Sequence, residues 1–386
     1  MKRFLIRSTL LLLLGFTVVI LFLPALIENR ENRILHSPPY KASQSAKTLH
    51  STLLIADLHA DSLLWGRNLL NHSSRGQVDV PRLIEGNVAL QVFSVPTKVP
   101  HDVNIQQNDE RSDDIFWLAL AERWPPATWN SLTQRALYQA RRLHKMAGAS
   151  SGQFAVIESA TDLSRYIERR QHEHGITAGL LSIEGAHALD GNLENVDVLY
   201  NAGFRMMSPT HFFDNDIGGS SAGVRKTGLT AKGRELIQRM EAKHMIVDLA
   251  HASSQTITDV LAIAKRPVVI SHTGVWGTCN NNRNLTDAQI RAIAQNGGLI
   301  GIGYWQVATC GTDAQAVARA IHNVANLVGA EHVALGSDFD GGAAEPFDTT
   351  GVIEITDALL AEGFTQDQVR MIMGGNVLRF LEQELP

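Results

Sequence analysis

Short apolar runs and longer amphipathic stretches alternate along this chain from Thr48 onward. The runs are rich in Val, Ile and Leu, as buried strands are, and most of the stretches between them have room for a helix. This pattern predicts eight strands, at 53–59, 88–94, 179–184, 203–209, 245–251, 268–273, 298–304 and 332–338. Eight βα units in succession predict an α/β fold, a (β/α)8 TIM barrel built on a parallel sheet.

The stretches between the predicted strands carry helix signals. They predict helices at 191–202, 230–243, 253–264, 286–296 and 313–329, with Thr230 and Thr286 as N-caps. Between residues 105 and 170 the pattern indicates two or three helices where one would suffice, so we predict a helical insertion on the barrel. Two closing helices, at 353–362 and 365–384, are predicted to pack against the outside of the barrel.

The amino terminus has the pattern of a membrane-targeting segment. Lys2, Arg3 and Arg7 precede an uncharged stretch, 8–27, that is about long enough to cross a hydrocarbon core of roughly 30 Å as a helix. The basic flank predicts that the amino terminus stays in the cytoplasm and that the rest of the chain is exported. A cleaved signal peptide is the alternative; because Ala25 is the only small residue near the end of the stretch and no A-x-A pattern precedes it, we favour an uncleaved anchor.

These features divide the chain into three predicted parts. Residues 1–27 form a cytoplasmic stub and a transmembrane anchor, or a signal peptide. Residues 28–47 are polar and contain Pro38 and Pro39, which predicts a juxtamembrane linker. Residues 48–386 form the barrel domain.

Composition limits the classes of partner. The chain has 386 residues, of which 44% are hydrophobic and 19% charged, so it can bury a large core. Its formal net charge of −5, with no dense Lys/Arg stripe, speaks against nucleic acid, and we expect small-molecule partners. Cys279 and Cys310 are too few for a disulfide framework; they either pair in an oxidising compartment or stay free thiols.

Metal-type ligands stand at the ends of five apolar runs. The runs LLIADLHAD, AGLLSIEGAH, HMIVDLAH, PVVISH and HVALGSDFD supply His59 and Asp61, Glu184, His251, His272 and Asp338. Side chains two apart on a strand point the same way, so His59 and Asp61 can reach one metal ion. A buried strand has no packing reason to end repeatedly in His or Glu. The spacing therefore predicts a hydrolytic metal site at the mouth of the barrel.

With this order of ligands the chain closely resembles the membrane dipeptidase (renal dipeptidase) family, peptidase family M19, of the metallo-dependent hydrolase superfamily. The resemblance spans nearly all of residues 50–380 and rests on the motifs DLHADSLLW, DVPRLIEGNVALQVFSV, SIEGAHAL, GFRMMSPTHFFDN, GLTAKGRELIQRM, VDLAHAS, VISHTG, NNRNLTDAQIRAIAQNGG, HVALGSDFDGG and GGNVLRFLEQ. It implies a zinc-dependent dipeptidase that hydrolyses dipeptides through a water or hydroxide bridging two metal ions. A homodimer and acceptance of D residues in the substrate are further expectations from this resemblance.

The resemblance also implies a role for each metal ligand. His59 and Asp61 would hold one Zn²⁺, His251 and His272 the other, and Glu184 would bridge both, giving two Zn²⁺ per subunit. A carboxylate has two oxygens and can span two metals about 3.5 Å apart. Imidazole and carboxylate ligands suit zinc, although manganese or cobalt can occupy the same kind of site.

Three more roles follow from the resemblance. His211, in PTHFFDN, would contact the scissile carbonyl and help to polarise it. Asp338, in GSDFDGG, would act as a proton shuttle beside the bridging water, and Arg283, in NNRNLTD, would engage the terminal carboxylate of the substrate. Because Asp340 shares a face with Asp338 by the strand period of two, the residues alone leave open which of the two has this role.

Four further polar residues are not expected to bind metal. Asp248 is predicted as a structural carboxylate, and His172, His174 and His187 as solvated surface residues.

Another amide, lactone, β-lactam or phosphoester hydrolase on the same barrel stays open as an alternative function. Some such barrels bridge their metals with a lysine, but no lysine ends a candidate metal-site strand here. An inactive, membrane-bound binding protein is the third alternative, but it would be expected to have lost at least one ligand.

Overall fold

The structure, a computed structural model, describes residues 22–386. The predicted cytoplasmic stub and most of the predicted anchor lie outside the described residues. The described part begins with a helix over 22–31. None of the helices within 22–386 combines the length and the apolar character that crossing a bilayer requires.

The sheet contains nine strands, and all of their pairings are parallel. They are β1 Ile55–Ala60, β2 Val88–Phe93, β3 Phe154–Val156, β4 Thr177–Ile183, β5 Phe204–Met207, β6 Ile246–Val247, β7 Val269–Thr273, β8 Leu299–Ile302 and β9 Val333–Leu335. All eight predicted strands are confirmed, although several are shorter than predicted. The additional strand, β3, is too short to produce a recognisable apolar run.

The strands form a closed ring. Along the sheet the order is β6-β5-β4-β2-β1-β9-β8-β7, and β3 pairs only with β4. A parallel bridge between Asp248 and Val269 then joins the β6 end of this row to β7. Eight strands thus surround a common axis, the arrangement predicted from the alternating pattern, and their carboxyl ends meet at one mouth.

Helices cover the outside of the ring. They are α1 Gln44–His50, α2 Val80–Glu85, α3 Asp114–Ala121, α4 Leu132–Ala149, α5 Ala160–Arg170, α6 Asn195–Asn201, α7 Ala231–Ala242, α8 Ser254–Leu261, α9 Asp287–Gln295, α10 Gln306–Thr309, α11 Ala314–Val328, α12 Ile353–Ala361, α13 Gln366–Arg370 and α14 Asn376–Glu384. The predicted caps are confirmed: Thr230 accepts from the amide of Gly233, and Thr286 forms a capping box with Gln289.

The predicted helical insertion contains α3, α4, β3 and α5. Ile115, Ala119 and Trp124 of this insertion form a separate apolar cluster with Leu64 and Trp65, which follow β1. Because Asp61 lies three residues before Leu64, the insertion buttresses the loop that carries a predicted metal ligand.

The closing helices pack as predicted, with one interruption. Between α13 and α14 the chain forms a π-helical turn over Met371–Gly375. Gly374 approaches the strand entry so closely that a Cβ there would lie 1.9 Å from the carbonyl oxygen of Leu54. Only glycine fits this contact, which ties the last helix to the start of β1.

The segment predicted as a linker, 28–47, is partly packed on the barrel. Glu28 and Asn32 are buried. The amide of Leu35 donates to the carbonyl oxygen of Glu345 at 2.9 Å, and the amide of Gly342 donates to Asn32 Oδ1 at 2.8 Å. This part of the chain is therefore tied to the loop that follows β9, which a polar composition did not indicate.

Candidate metal centre

Six predicted site residues meet at the carboxyl end of the barrel. They lie in five different strands or within four residues of the strand ends, and the six are His59, Asp61, Glu184, His251, His272 and Asp338. Five of them are less than 6% exposed, while Asp338 keeps one side toward a cleft. The parallel strands bring together residues that are up to 279 positions apart, from His59 to Asp338.

Glu184 occupies the middle of this cluster. Its Oε1 lies 3.0 Å from His251 Nε2, 3.4 Å from His272 Nε2 and 3.6 Å from His59 Nε2. Its Oε2 lies 3.3 Å from His211 Nε2. The carboxylate thus faces donors from both halves of the predicted ligand set, as a bridging ligand would.

The remaining distances define two neighbouring sets of donors. On one side, His59 Nε2 lies 3.5 Å from Asp61 Oδ1 and 3.9 Å from Asp338 Oδ1. On the other side, the Nε2 atoms of His251 and His272 are 2.9 Å apart. Ligand atoms of His59, Glu184 and His272, of Glu184, His211 and His251, and of His59, Asp61 and Asp338 lie close enough together to hold a cation.

The chemistry of the donors fits divalent metal ions. His59 Nε2 and Asp61 Oδ1 are buried and have no hydrogen-bond partner within the described residues. Burial lowers the pKa of His251 and of His272 well below the usual value, so both imidazoles are neutral and have a free lone pair. Such a set of neutral imidazoles and carboxylates suits zinc.

The electrostatics of the cluster also favour bound cations. Burial lowers the pKa of His59, but Glu184, Asp61 and Asp338 outweigh it and raise this pKa to about 10. Burial and the neighbouring Asp61 raise the pKa of Glu184 well above its usual value. The carboxylates therefore stabilise positive charge in a buried position, where divalent cations would supply it.

Ser271 orients two of the imidazoles. Its Oγ lies 3.2 Å from His59 Nδ1 and 2.9 Å from His272 Nδ1. When both Nδ1 atoms carry the proton, the hydroxyl accepts from both rings and each Nε2 is left free toward Glu184. Ser271 is not among the residues predicted from the sequence, although its position directly before His272 was a usable signal.

The backbone is strained at two of the site residues. His251 has φ of 61° and Asp338 has φ of 69°, in the left-handed region that side-chain-bearing residues rarely adopt. Such conformations cost roughly 1 kcal/mol or more and cluster at functional sites.

Asp338 and Asp340 have different surroundings. Asp340 is fully buried; its Oδ2 accepts from Arg67 at 2.5 Å and from Ser62 at 2.6 Å, and its Oδ1 accepts from the amide of Gln77 at 2.6 Å. Only Asp338 lines the cleft. Of the two carboxylates left open by the sequence, only Asp338 is therefore placed to contact a ligand in the cleft.

Asp248 is structural, as predicted, because its Oδ1 accepts from the amides of Ala250 at 3.0 Å and Ser271 at 2.9 Å. His172 and His174 are exposed, as predicted. The prediction of a solvated surface position is wrong for His187, which is buried beside the ring of Phe213. This burial lowers its pKa to about 3.

Arg283 lies in the loop that follows β7. Its Nη2 donates to the carbonyl oxygen of His272 at 2.9 Å, and its guanidinium lies 5.7 Å from the ring of Trp305. Across residues 22–386 no carboxylate lies within ion-pair distance of it, and its side chain is buried and is not among the residues that line the cleft. Cys279 and Cys310 form a disulfide that joins the loop carrying this arginine to the end of α10.

A cleft of about 780 Å³ opens above the cluster. Its floor includes Asp61, Glu184, His211, His251 and Asp338. One wall comes from the insertion, and another comes from the helix over 22–31. The volume is in the range of small-molecule sites.

Comparison with known proteins places this geometry in a family context. The profile of the membrane dipeptidase family, peptidase family M19, matches residues 43–385. Dipeptidase aclJ of Aspergillus oryzae is 29% identical over 348 residues, which is 85% of this chain and 77% of that protein.

Solved structures share the fold. The probable dipeptidase PvdM from Pseudomonas aeruginosa matches with a TM-score of 0.72 at 19% identity, over 89% of this chain and 98% of that chain. A metallo peptidase from Rhodobacter sphaeroides, liganded with a phosphinate mimic of the dipeptide L-Ala-D-Ala, matches with a TM-score of 0.69 at 24% identity, over 86% of this chain and 99% of that chain.

Proposed function

Since this chain belongs to the membrane dipeptidase family, peptidase family M19, we propose that it is a membrane-anchored, zinc-dependent dipeptidase that cleaves the peptide bond of free dipeptides. The observation that carries the proposal is the position of Glu184. Its Oε1 lies between 3.0 and 3.6 Å from the Nε2 atoms of His251, His272 and His59. A carboxylate surrounded by three imidazoles on a barrel mouth is the arrangement that a two-metal hydrolase needs.

Each half of the cluster would hold one ion. His59 and Asp61 would bind the first Zn²⁺, His251 and His272 the second, and Glu184 both. When bound, the two ions would lower the pKa of a shared water enough for hydroxide to form near neutral pH.

Asp338 and His211 would handle the proton and the developing charge. Burial raises the pKa of Asp338 to about 7, against the opposing effect of His59, so this carboxyl can both accept and release a proton near neutral pH. It would take a proton from the attacking water and deliver it to the leaving amine. His211, which is buried in the floor of the cleft, would donate a hydrogen bond to the carbonyl oxygen as negative charge develops there.

Arg283 would select the substrate class. A guanidinium binds a carboxylate through two parallel charge-assisted hydrogen bonds, which an amide cannot accept in the same way. A free dipeptide places its terminal carboxylate one residue beyond the cleaved bond, at a fixed distance from the metals. The dipeptide mimic bound by the Rhodobacter protein supports this substrate class and includes a D residue in the second position.

The location of the domain is part of the proposal. The basic flank and the uncharged stretch 8–27 would anchor the chain with its amino terminus in the cytoplasm. The disulfide between Cys279 and Cys310 supports an oxidising compartment for the barrel, since such bonds are rare in the cytosol.

The test of the metal site uses the full chain purified in detergent. We expect close to two zinc equivalents per subunit, loss of activity with a strong chelator, and recovery when zinc is restored. Glu382→Gln, an exposed carboxylate outside the site, is the control and should keep both metal and activity. A preparation that is fully active without metal would refute the proposal.

The test of the substrate class compares free dipeptides, dipeptide amides and tripeptides. Wild type should strongly prefer free dipeptides, and Arg283→Ala should lose most of that preference through a lower kcat/KM for the free substrate alone. Arg283→Lys should recover part of it, because an ammonium keeps the charge without the planar fork. Arg225→Ala, at an exposed position, is the control. Equal losses on free and amidated substrates would show that Arg283 has only a structural role.

A further inference from the structure

Exposed apolar side chains surround the mouth of the cleft. Four of them line it: Leu23, Ile27, Val103 and Trp117, and the last has 67% of its surface exposed. Phe22 and Leu26, on the same helix as Leu23, are also exposed. We call these six residues the apolar rim. Single exposed apolar residues are ordinary, but a group of them around one opening marks an interaction surface.

The rim has a defined position because its helix is tied to the barrel. Glu28, one residue after the rim, is buried and forms ion pairs with Arg67 and with Arg75, the latter at 2.9 Å. Arg67 in turn binds Asp340 at 2.5 Å, two residues from Asp338. The chain therefore enters the domain at the mouth of the cleft and at no other face of the barrel.

The apolar stretch that precedes the rim in the sequence indicates that a lipid bilayer lies against this surface. The uncharged stretch 8–27 ends within the rim, since Phe22, Leu23, Leu26 and Ile27 are its last large apolar residues. As a helix, a stretch of this length measures about 30 Å, which is the thickness of a hydrocarbon core. If a bilayer holds this stretch, Glu28 can pair with Arg67 only when the barrel mouth lies next to the headgroups.

We propose that the apolar rim docks on the membrane surface, so that the mouth of the catalytic cleft faces the bilayer to which the chain is anchored. This inference rests on the membrane anchor of the proposed function. Val103 and Trp117, which lie in a different part of the chain from the anchor, insert at the level of the headgroups. Tryptophan is enriched at that level because its ring is amphipathic.

The contact is apolar rather than electrostatic. The charged residues that line the same cleft opening are of both signs: Arg30, Glu31, Asp102 and Asp114. A surface without a basic cluster has no preference for anionic lipid. Docking should therefore occur on vesicles of zwitterionic phosphatidylcholine alone.

The experiment places a fluorescent label at single positions of the full chain reconstituted in phosphatidylcholine vesicles. The only two cysteines of the chain form a disulfide, so an introduced cysteine is the single free thiol. Val103→Cys and Trp117→Cys report on the rim. Val198→Cys is the matched control, because Val198 on α6 is similarly exposed and lies outside the cleft. The label is an environment-sensitive nitrobenzoxadiazole, and far-UV circular dichroism checks that each labelled variant is folded.

The labels at 103 and 117 should emit at shorter wavelength than the label at 198, and only they should be quenched by brominated phosphatidylcholine. If all three labels show the same emission wavelength and the same quenching while the protein floats with the vesicles, the membrane anchor is supported and the docking inference is overturned. A blue-shifted label at 117 without quenching by brominated lipid also overturns it, because a second copy or another protein then covers the rim. Protein that does not float with the vesicles refutes the anchor of the proposed function instead.

Discussion

The floor and the apolar rim of the cleft are built in different ways. The floor consists of histidines and carboxylates at strand ends, and the closed ring of strands sets their positions. The rim comes from segments outside the βα repeat, and its apolar side chains are exposed. The barrel strands thus position the candidate metal ligands, whereas the segments outside the βα repeat determine which molecules reach those ligands.

Among the changes to the floor of the cleft, Glu184→Gln should have the largest effect on metal content and activity. An amide bridges two cations poorly, so the variant should lose metal and keep less than about 1% of the activity. Metal analysis and dipeptide hydrolysis measure the two effects. Glu345→Gln is the matched control, since this carboxylate is equally buried but does not line the cleft. Full metal content in Glu184→Gln would contradict the bridging role.

Asp338→Asn separates proton transfer from metal binding within the floor. It should keep most of its metal and lose about 10²-fold or more in kcat, as expected when a positioned acid/base is removed. Asp340→Asn should do the reverse: it leaves Arg67 with a weakened buried ion pair and should lower stability by about 3 kcal/mol, with a smaller effect on kcat. Loss of one zinc in Asp338→Asn would identify Asp338 as a metal ligand instead.

Ser271→Ala tests whether the floor depends on the residues that orient its imidazoles. Without the hydroxyl, the rings of His59 and His272 lose the contact that directs each Nε2 toward Glu184, and zinc affinity should fall about 10- to 100-fold. Competition with a chelator measures this. Ser182→Ala is the control, because the hydroxyl of Ser182 is also buried but has no hydrogen-bond partner among the described residues. Equal affinity in both variants would contradict the orienting role.

The smallest expected effect concerns a carboxylate outside both floor and rim. Burial, together with Asp338 and Asp57, raises the pKa of Glu345 well above its usual value, and neither of its carboxyl oxygens has a partner within the described residues. Because the folded-state pKa is raised, wild type loses stability as the pH rises above the usual carboxyl pKa. Glu345→Gln should remove this loss, so that its gain in free energy of unfolding over wild type, of the order of 1–3 kcal/mol, is larger at pH 8 than at pH 5, as denaturant unfolding at the two pH values measures. A pH-independent difference would refute this account.

Most of the floor could be predicted from the sequence. His59, Asp61, Glu184, His251, His272 and Asp338 each follow an apolar run, and parallel strands place their carboxyl ends at one mouth. Family motifs then add a role to each position, and those roles stay predictions until the variants above are measured. The pattern of an apolar strand followed by a polar residue spans only six to ten residues in these runs, which is why the sequence alone reveals it.

The sequence by itself therefore determined the eight barrel strands, the candidate ligands and the apolar stretch before the domain. Only the tertiary structure decided that Asp340 binds Arg67 while Asp338 faces the cleft, and that Cys279 pairs with Cys310. It also decided that Glu28 is buried and paired with Arg67, next to the cleft-lining Ile27. These features depend on contacts between residues far apart in the chain, and no periodicity along the sequence encodes which distant partner a side chain meets.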